Sequence, residues 1–417
     1  MAVLRFQEKL TTPRYQRKEK DVVQGCYTVF YGMPDYFFVS TARIPTERAN
    51  GIQIMKTCEA LADAGAHVEL VLPTRFNEIT EDRFDYYRVK RNFNIKKIWA
   101  LDLAPRREPA HPLFYWLQSI SFALSALVYL WPQKNAFIHF RYDLPLLIAF
   151  TPFFKRRKII CEAHALITGW TRRVMQKCFA VVVVLAAAKE IYAQTDPAGG
   201  NRYIVAPDGV SLADFQITES KEQLREELGL PLNKKIIMYT GHFYAWKGIN
   251  TLIAAAKELD EECAVVLVGG GNRAAEDINR LAHEAGVSHK VMFVGHQPYA
   301  KMPRYQKAAD CLVLTTVKSG VHEIFTSPLK LFEYMASGVP VVASDSVSVR
   351  EVLTHRHNGY LVTPEDPRAL AEGIRVVLAD THLAASLVQH AAVDVRRYAW
   401  DERARRMLAF FNRRATV

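Results

Sequence analysis

Between Lys234 and Leu314 short, wholly apolar runs alternate with longer amphipathic stretches, and few folds accept that rhythm. Strands are predicted over Ile236–Tyr239, Ala264–Val268, Val291–Val294 and Cys311–Leu314, with helices over Gly248–Leu259 and Arg273–Ala285 and near Tyr299–Lys307. A strand that is apolar at every position, not every second one, is buried on both faces, which is the mark of a parallel sheet. Parallel neighbours need helical crossovers, so this half reads as a doubly wound α/β sheet. The pattern continues through Val321–Asp345. There Ser327 and Pro328 suit the N-cap and first position of a helix over Leu329–Ala336, Gly338 and Pro340 stop it, and Val339–Ala343 forms another buried strand.

The first half repeats the theme less regularly. Tyr36–Ser40, a loop, a helix from about Gly51 to Ala64 and His67–Leu72 make a β-loop-α-β unit, and Phe137–Phe140, Lys158–Cys161, Ala180–Leu185 and Arg202–Val205 are further strands. A chain of 417 residues exceeds one ordinary core and fits two domains of about 200 residues each. Six cysteines without a CxxC pair, several of them in apolar runs, read as buried free thiols of a reducing cytosol. The basic, polar N-terminus lacks the apolar stretch of a secretory signal, so a cytoplasmic location is expected, with the inner face of the cell membrane as the one variant.

The net charge of +11 is unevenly placed: residues 1–180 hold 27 Lys and Arg against 16 Asp and Glu, and the remainder holds 27 against 27. The N-terminal excess, in clusters such as Arg88, Lys90, Arg91, Lys96, Lys97 and Lys155 to Lys158, fits either a solvated basic surface or contact with anionic lipid, nucleic acid or a phosphorylated acceptor. Leu113–Trp131 reaches the length of a membrane span. A buried helix of the first domain is the first reading, a helix dipping into one leaflet the second, and a true span the third.

Several residues carry chemistry. A helix opening across Thr326, Ser327, Pro328 and Leu329 presents free backbone N–H groups that suit a diphosphate, and Glu333, one to two turns further in, suits neutral hydroxyls. That division fits a sugar nucleotide. Lys247, just before a helix in the loop from Gly241 to Gly248, is a second phosphate ligand. Strand ends lead into Arg141 and into Glu162-Ala163-His164, where open α/β sheets bind ligands, and Arg48 shares a loop with Asn50-Gly51 and is placed to meet an anion. Asp-x-Asp occurs nowhere, so neither a metal clamp nor a cofactor is expected. The turn Gly269–Gly271 followed by Ala274 leaves a nicotinamide-dependent oxidoreductase open, and the basic half leaves open a nucleic-acid or membrane-binding module.

The run SPLKLFEYMASGVPVVAS from Ser327, with YTGHFYAWKGI from Tyr239 and REVLTHRHNGYLVTPED from Arg350, resembles the donor-binding half of the family 4 retaining glycosyltransferases. The resemblance implies the GT-B fold: two doubly wound Rossmann-like domains facing a cleft, with a C-terminal helix crossing back to the first domain. VAPDGVSLADF from Val205 is similar to the family's inter-domain motif, with Asp208 for its Asn. An acceptor-side domain over 1–205 and a donor domain over 206–397 follow, with 398–417 as the crossing helix, packed through Trp400, Met407 and Phe410.

By the same resemblance Gly51 and Gly270 lie along the donor, His164 lies beside the transferring carbon, Gly241, His242 and Lys247 hold the diphosphate, and Glu333 holds the ribose. The family's Arg/Lys pair is His242 and Lys247 here. Where it carries the first of two glutamates this chain has Phe325, with Glu323 two residues earlier, so either Glu323 or backbone N–H groups near Phe325 serve the sugar hydroxyls. Glu351 matches a family glutamate or is a helix-surface carboxylate. The implied activity is retaining transfer from a nucleotide sugar, metal-independent since Asp-x-Asp is missing; the basic N-terminal face and Leu113–Trp131 suggest a glycan or lipid-linked acceptor and peripheral contact with membrane, and no contact with nucleic acid is expected. A nucleotide-sugar epimerase of the same fold is the alternative.

Overall fold

The computed structural model describes residues 35–103, 112–153, 157–270, 272–317 and 324–416. Cys26, Lys155, Gly271 and Glu323 lie outside them.

The first sheet is built from β1 (Asp35–Val39), α1 (Ala49–Asp63), β2 (His67–Pro73), α2 (Arg83–Tyr87), β3 (Asn94–Ile98), α3 (Pro112–Leu130), β4 (Phe137–Arg141), α4 (Leu144–Phe150), β5 (Lys158–Ala163), α5 (Gly169–Met175), β6 (Ala180–Val183), α6 (Ala186–Ala193) and β7 (Tyr203–Val205). Its seven strands are ordered β3-β2-β1-β4-β5-β6-β7, all parallel. The second comprises α7 (Lys221–Leu228), β8 (Lys235–Thr240), α8 (Ile249–Ala255), β9 (Cys263–Val268), α9 (Asn272–Glu284), β10 (Val291–Gly295), α10 (Met302–Lys307), β11 (Cys311–Leu314), α11 (Leu329–Ala336), β12 (Val341–Ser344), α12 (Val347–Arg350) and β13 (Tyr360–Val362), followed by α13 (Pro367–Ala379), α14 (Thr381–Asp394) and α15 (Trp400–Ala415). Its order is β10-β9-β8-β11-β12-β13, again all parallel. In each sheet the strand order reverses beside the first strand, between β1 and β4 and between β8 and β11. Ligands of such sheets bind beyond the strand ends at that reversal.

The central strands are buried on both faces, as the unbroken apolar runs require: β6 and β9 are buried at every residue. Helix α1 buries Ile54, Met55, Cys58 and Leu61, a stripe at helical spacing, against β1 and β2. The five described cysteines are free and buried. Helix α15 crosses back onto α1, and Trp400, Met407 and Phe411 enter the core under β1. Phe411, not Phe410, takes the innermost place; Phe410 is only partly buried. The chain passes between the two sheets side by side at Val210 and Ala399, where Val210 N donates to Tyr398 O at 3.1 Å.

Three expectations need correction. Pro328, not Ser327, is the N-cap of α11, because Ser327 Oγ accepts from Asp208 N at 3.0 Å and is not free to cap. Lys96 and Lys97 sit on an edge strand, β3, and are not only a basic cluster; lysines on an edge strand hinder pairing with other chains. Helix α3 is not a buried helix. One stripe packs inward and the other, apolar one is open, with Leu124 56% and Val128 74% exposed.

Candidate active site

The two strand reversals face one another across a cavity of about 610 Å³. From the first domain come Arg48, Asn50, Gln53, Arg141 and His164; from the second come Gly241, His242, Lys247, Gly270 and the start of α11 through Glu333. Of the expected residues, Gly51 does not line the cavity. It lies behind the loop, where a Cβ would stand 2.2 Å from the Tyr87 hydroxyl, so close packing explains the glycine.

On the second domain's side two turns lie almost in contact. Gly241 and Gly269 have φ of 116° and 128°, and a Cβ on Gly269 would meet Gly241 O at 2.2 Å. Only glycine permits both conformation and approach. Beside them Lys330 Nζ is sealed from solvent, has no hydrogen-bond acceptor among the described residues, and sits 3.7 Å from the centroid of the Tyr239 ring. A Cβ on Gly241 would touch that ammonium at 2.8 Å. Burial, then repulsion from Lys247, pushes Lys330 well below the ordinary lysine range. Burial also lowers Lys247. Two part-desolvated cations and the first turn of α11 converge where an anion would relieve all three.

Burial, and after it Lys330, lowers His242, which keeps the ring neutral at pH 7. Its ring stacks on Tyr244, interplanar angle 3°, and Tyr244 on Trp246, with centroids 4.4 Å apart. Lys330, and not His242, therefore stands as the second cation beside Lys247. Deeper in, Glu333 accepts from Gln306 Nε2 at 3.1 Å and bonds the Tyr299 hydroxyl, and burial raises its carboxyl above the usual range. Phe325 has a double placement: it borders the cavity while its ring packs on Tyr192 in the first domain's core.

The floor on the opposite side is a buried polar network. Glu162 Oε1 accepts from Arg403 Nη2 at 2.6 Å and Gln53 Nε2 at 2.9 Å, and His164 Nε2 lies 2.9 Å away. Glu162 Oε2 is 3.1 Å from His139 Nε2, whose Nδ1 is 2.6 Å from the Tyr36 hydroxyl. Burial alone would raise Glu162, but Arg403 and the two imidazoles outweigh it and hold the carboxyl well below its ordinary range. Arg141 Nη1 donates to Gln53 Oε1 at 3.2 Å, tying that cation to the same network. Asp208, raised by burial, borders the cavity, and its Oδ1 has no partner among the described residues.

Glu162, His164 and Asp208 place ligand atoms within 4.8 Å of one another. Within this cluster Glu162 Oε1 already accepts from Arg403 and Gln53. Glu351 lies outside the cavity and is not a plain surface carboxylate: its two oxygens accept from Ala186 N and Ala187 N at 2.7 and 2.8 Å, capping α6 across the domain interface. Glu47 and His296 face each other at 3.8 Å across the cleft mouth.

The sequence alone marks Glu162 and Asp208 by position without giving them a role, and it gives no sign of Lys330 or Tyr299 as site residues. A carboxylate inside the apolar run of β5 was the available signal for Glu162, since strand alternation puts it on the same side as His164.

Residues 220–393 match the family described as glycosyl transferases group 1. Over this second domain the chain is similar to that family. Among curated proteins it is 32% identical over 216 residues to a D-inositol 3-phosphate glycosyltransferase of Xylanimonas cellulosilytica, covering 50% of each chain. It is 31% identical over 193 residues to the putative teichuronic acid biosynthesis glycosyltransferase TuaC of Bacillus subtilis, covering 46% of each. The chain thus spans about half the length of the curated relatives it matches. Solved structures share the whole fold: sucrose-phosphate synthase of Thermosynechococcus elongatus (TM-score 0.74, 22% identity, 92% of this chain and 99% of that one) and HepE of Anabaena in complex with UDP (0.69, 17%, 92% and 100%). The fold is GT-B.

Proposed function

We propose that the protein is a glycosyltransferase that moves a sugar from a nucleotide sugar to a glycan or lipid-linked acceptor on the cytoplasmic side, with retention of configuration and without a metal ion. The observation that carries the proposal is the sealed ammonium of Lys330, without an acceptor and beside Lys247 and the start of α11. A diphosphate would satisfy all three, and Glu333 one turn further suits the ribose hydroxyls. UDP in the HepE structure and the names of the curated relatives support the donor class.

In the reaction the bond from the anomeric carbon to the diphosphate oxygen breaks as the acceptor hydroxyl bonds the same face, and the acceptor's proton leaves with the phosphate. Negative charge grows on the departing diphosphate, where Lys247, Lys330 and the α11 N–H groups are already placed, so little reorganisation is needed. Arg403 and Arg141 neutralise the first domain's floor, and the protein supplies by itself the positive charge a metal would bring.

A thermal-shift screen of uridine, guanosine, adenosine and thymidine diphosphates tests the reading. A nucleotide at a hundredfold excess over its Kd adds about 2.7 kcal/mol of apparent stability. The best one should act equally in EDTA, and Lys247→Ala and Glu333→Ala should each abolish its effect. Full shifts in both variants would place the site elsewhere, and conversion of the donor sugar without any acceptor would make the enzyme an epimerase.

A further inference from the structure

Helix α3 is built inside out. The stripe it turns toward the protein holds Gln118, Ser119, Phe122, Ala123, Ala126 and Leu130, two of them polar and two alanine. The stripe it turns outward holds Leu117, Ile120, Leu124, Val128 and Trp131, at steps of three and four residues, with Trp116 at its margin. A helix of a soluble domain puts its larger apolar residues inward. Here they point away for about 21 Å of helix length. The patch does not stop at α3. Trp99 and Leu103 precede it, α4 packs beside it and exposes Ile148, and α5 beside α4 exposes Trp170. Isolated exposed hydrophobics are ordinary; a continuous face of this kind is a docking surface.

Charge decides what docks. Across residues 109–189 the only acidic residues are Asp143 and Glu162, and both are buried. Lys134 follows the helix, Arg157 bonds the carbonyls of Leu130 and Trp131 at its C-terminus, Lys96 lies 5.6 Å from the Tyr129 ring, and Arg172, Arg173 and Lys177 follow Trp170. Apolar residues with tryptophans at the margins and a cationic surround match the interface of an anionic bilayer. A second copy of the chain would bring like charges together. A span is also excluded, because Ser121 Oγ accepts from Leu101 N at 2.9 Å and the inward stripe is part of the domain core.

The geometry points to a membrane-docking face in which α3 lies flat in one leaflet of an anionic bilayer, with its Leu117 to Trp131 stripe in the acyl boundary and the flanking lysines and arginines at the headgroups. This deepens the proposed function, since it sets the first domain on the surface where a lipid-linked acceptor resides, but the docking itself needs no turnover.

The test is flotation of the full chain with vesicles of phosphatidylcholine alone or mixed with phosphatidylglycerol, alongside a Leu124→Glu, Val128→Glu double variant. The wild type is expected to float with the anionic vesicles, with a blue shift of tryptophan fluorescence, and the double variant to partition about tenfold less or weaker. Both side chains point to solvent, so the variant's circular dichroism and nucleotide thermal shift should be unchanged. Those two readings keep a failure of docking distinct from a failure of the glycosyltransferase assignment. No flotation of the wild type, or equal flotation of the variant, overturns the inference. So does a wild-type dimer in light scattering that the variant converts to a monomer.

Discussion

Arg403, on the last helix, places Nη2 2.6 Å from Glu162 Oε1 beneath the first domain's strand ends, and both side chains are almost wholly buried. Two further bonds fix the guanidinium: Nε to Pro207 O at 2.9 Å and Nη1 to Thr57 Oγ1 at 3.1 Å. One residue therefore ties the terminal helix, the inter-domain passage, α1 and the carboxylate that holds His164. Removing it leaves a buried charge uncompensated, which costs about 3–5 kcal/mol. Arg403→Ala should lower the free energy of urea unfolding by that amount.

Glu162→Gln separates charge from shape. Because the folded carboxyl lies below its unfolded value of about 4.3, its stabilisation is complete above that pH and is lost as pH falls through the folded value. Wild type should therefore lose stability relative to Glu162→Gln only on acidification below about pH 4. Denaturation midpoints measured from pH 3 to 8 check this; a difference constant across that range would contradict it.

Glu351 closes the domain interface by capping α6 from outside its own helix. Glu351→Ala exposes two helix N–H donors and should cost about 1 kcal/mol, with Glu351→Gln losing less. Since the cavity is not touched, the nucleotide thermal shift of both variants should match wild type once referred to the new baseline.

Much of this was legible beforehand because parallel strands and diphosphate ligands impose strong local rules. The unbroken apolar runs located the central strands, and the loop ending at Lys247 and the helix opening at Leu329 marked the donor side. What escaped depends on contacts far apart in sequence. Lys330 carries no mark of burial until Gly241 and Tyr239 close over it, and Glu162 acquires its role only when Arg403 arrives from 241 residues away. Edge strand β3 was hidden by its lysines. Helix α3 misled for the opposite reason: apolar composition does not say which stripe faces the protein.

Gly269→Ala tests the tight approach of the two turns. At φ of 128° a side chain is strained, and its Cβ would stand 2.2 Å from Gly241 O. Strain of this kind costs about 1–3 kcal/mol, and relief requires the turns to part. The nucleotide shift should fall more than the melting temperature does, because the displaced Gly241 is the residue against which the Lys330 ammonium rests.

Lys330 itself should show the clearest trade between stability and binding. Its ammonium is desolvated without an acceptor, so Lys330→Met removes a burial cost and should raise the stability of the unliganded protein by about 1 kcal/mol. The same change should remove most nucleotide diphosphate affinity. The pH dependence is more specific. The free protein holds Lys330 below the usual lysine range, and a bound diphosphate would raise it again, so binding takes up a proton wherever the pH lies between those two values. Affinity in wild type should then fall as pH rises through the lowered value. Calorimetry in buffers of different ionisation enthalpy should show net proton uptake in wild type, and Lys330→Met should lose both the uptake and the pH slope. Uptake that persisted in the variant would assign the proton to another group, with His242 the next to test.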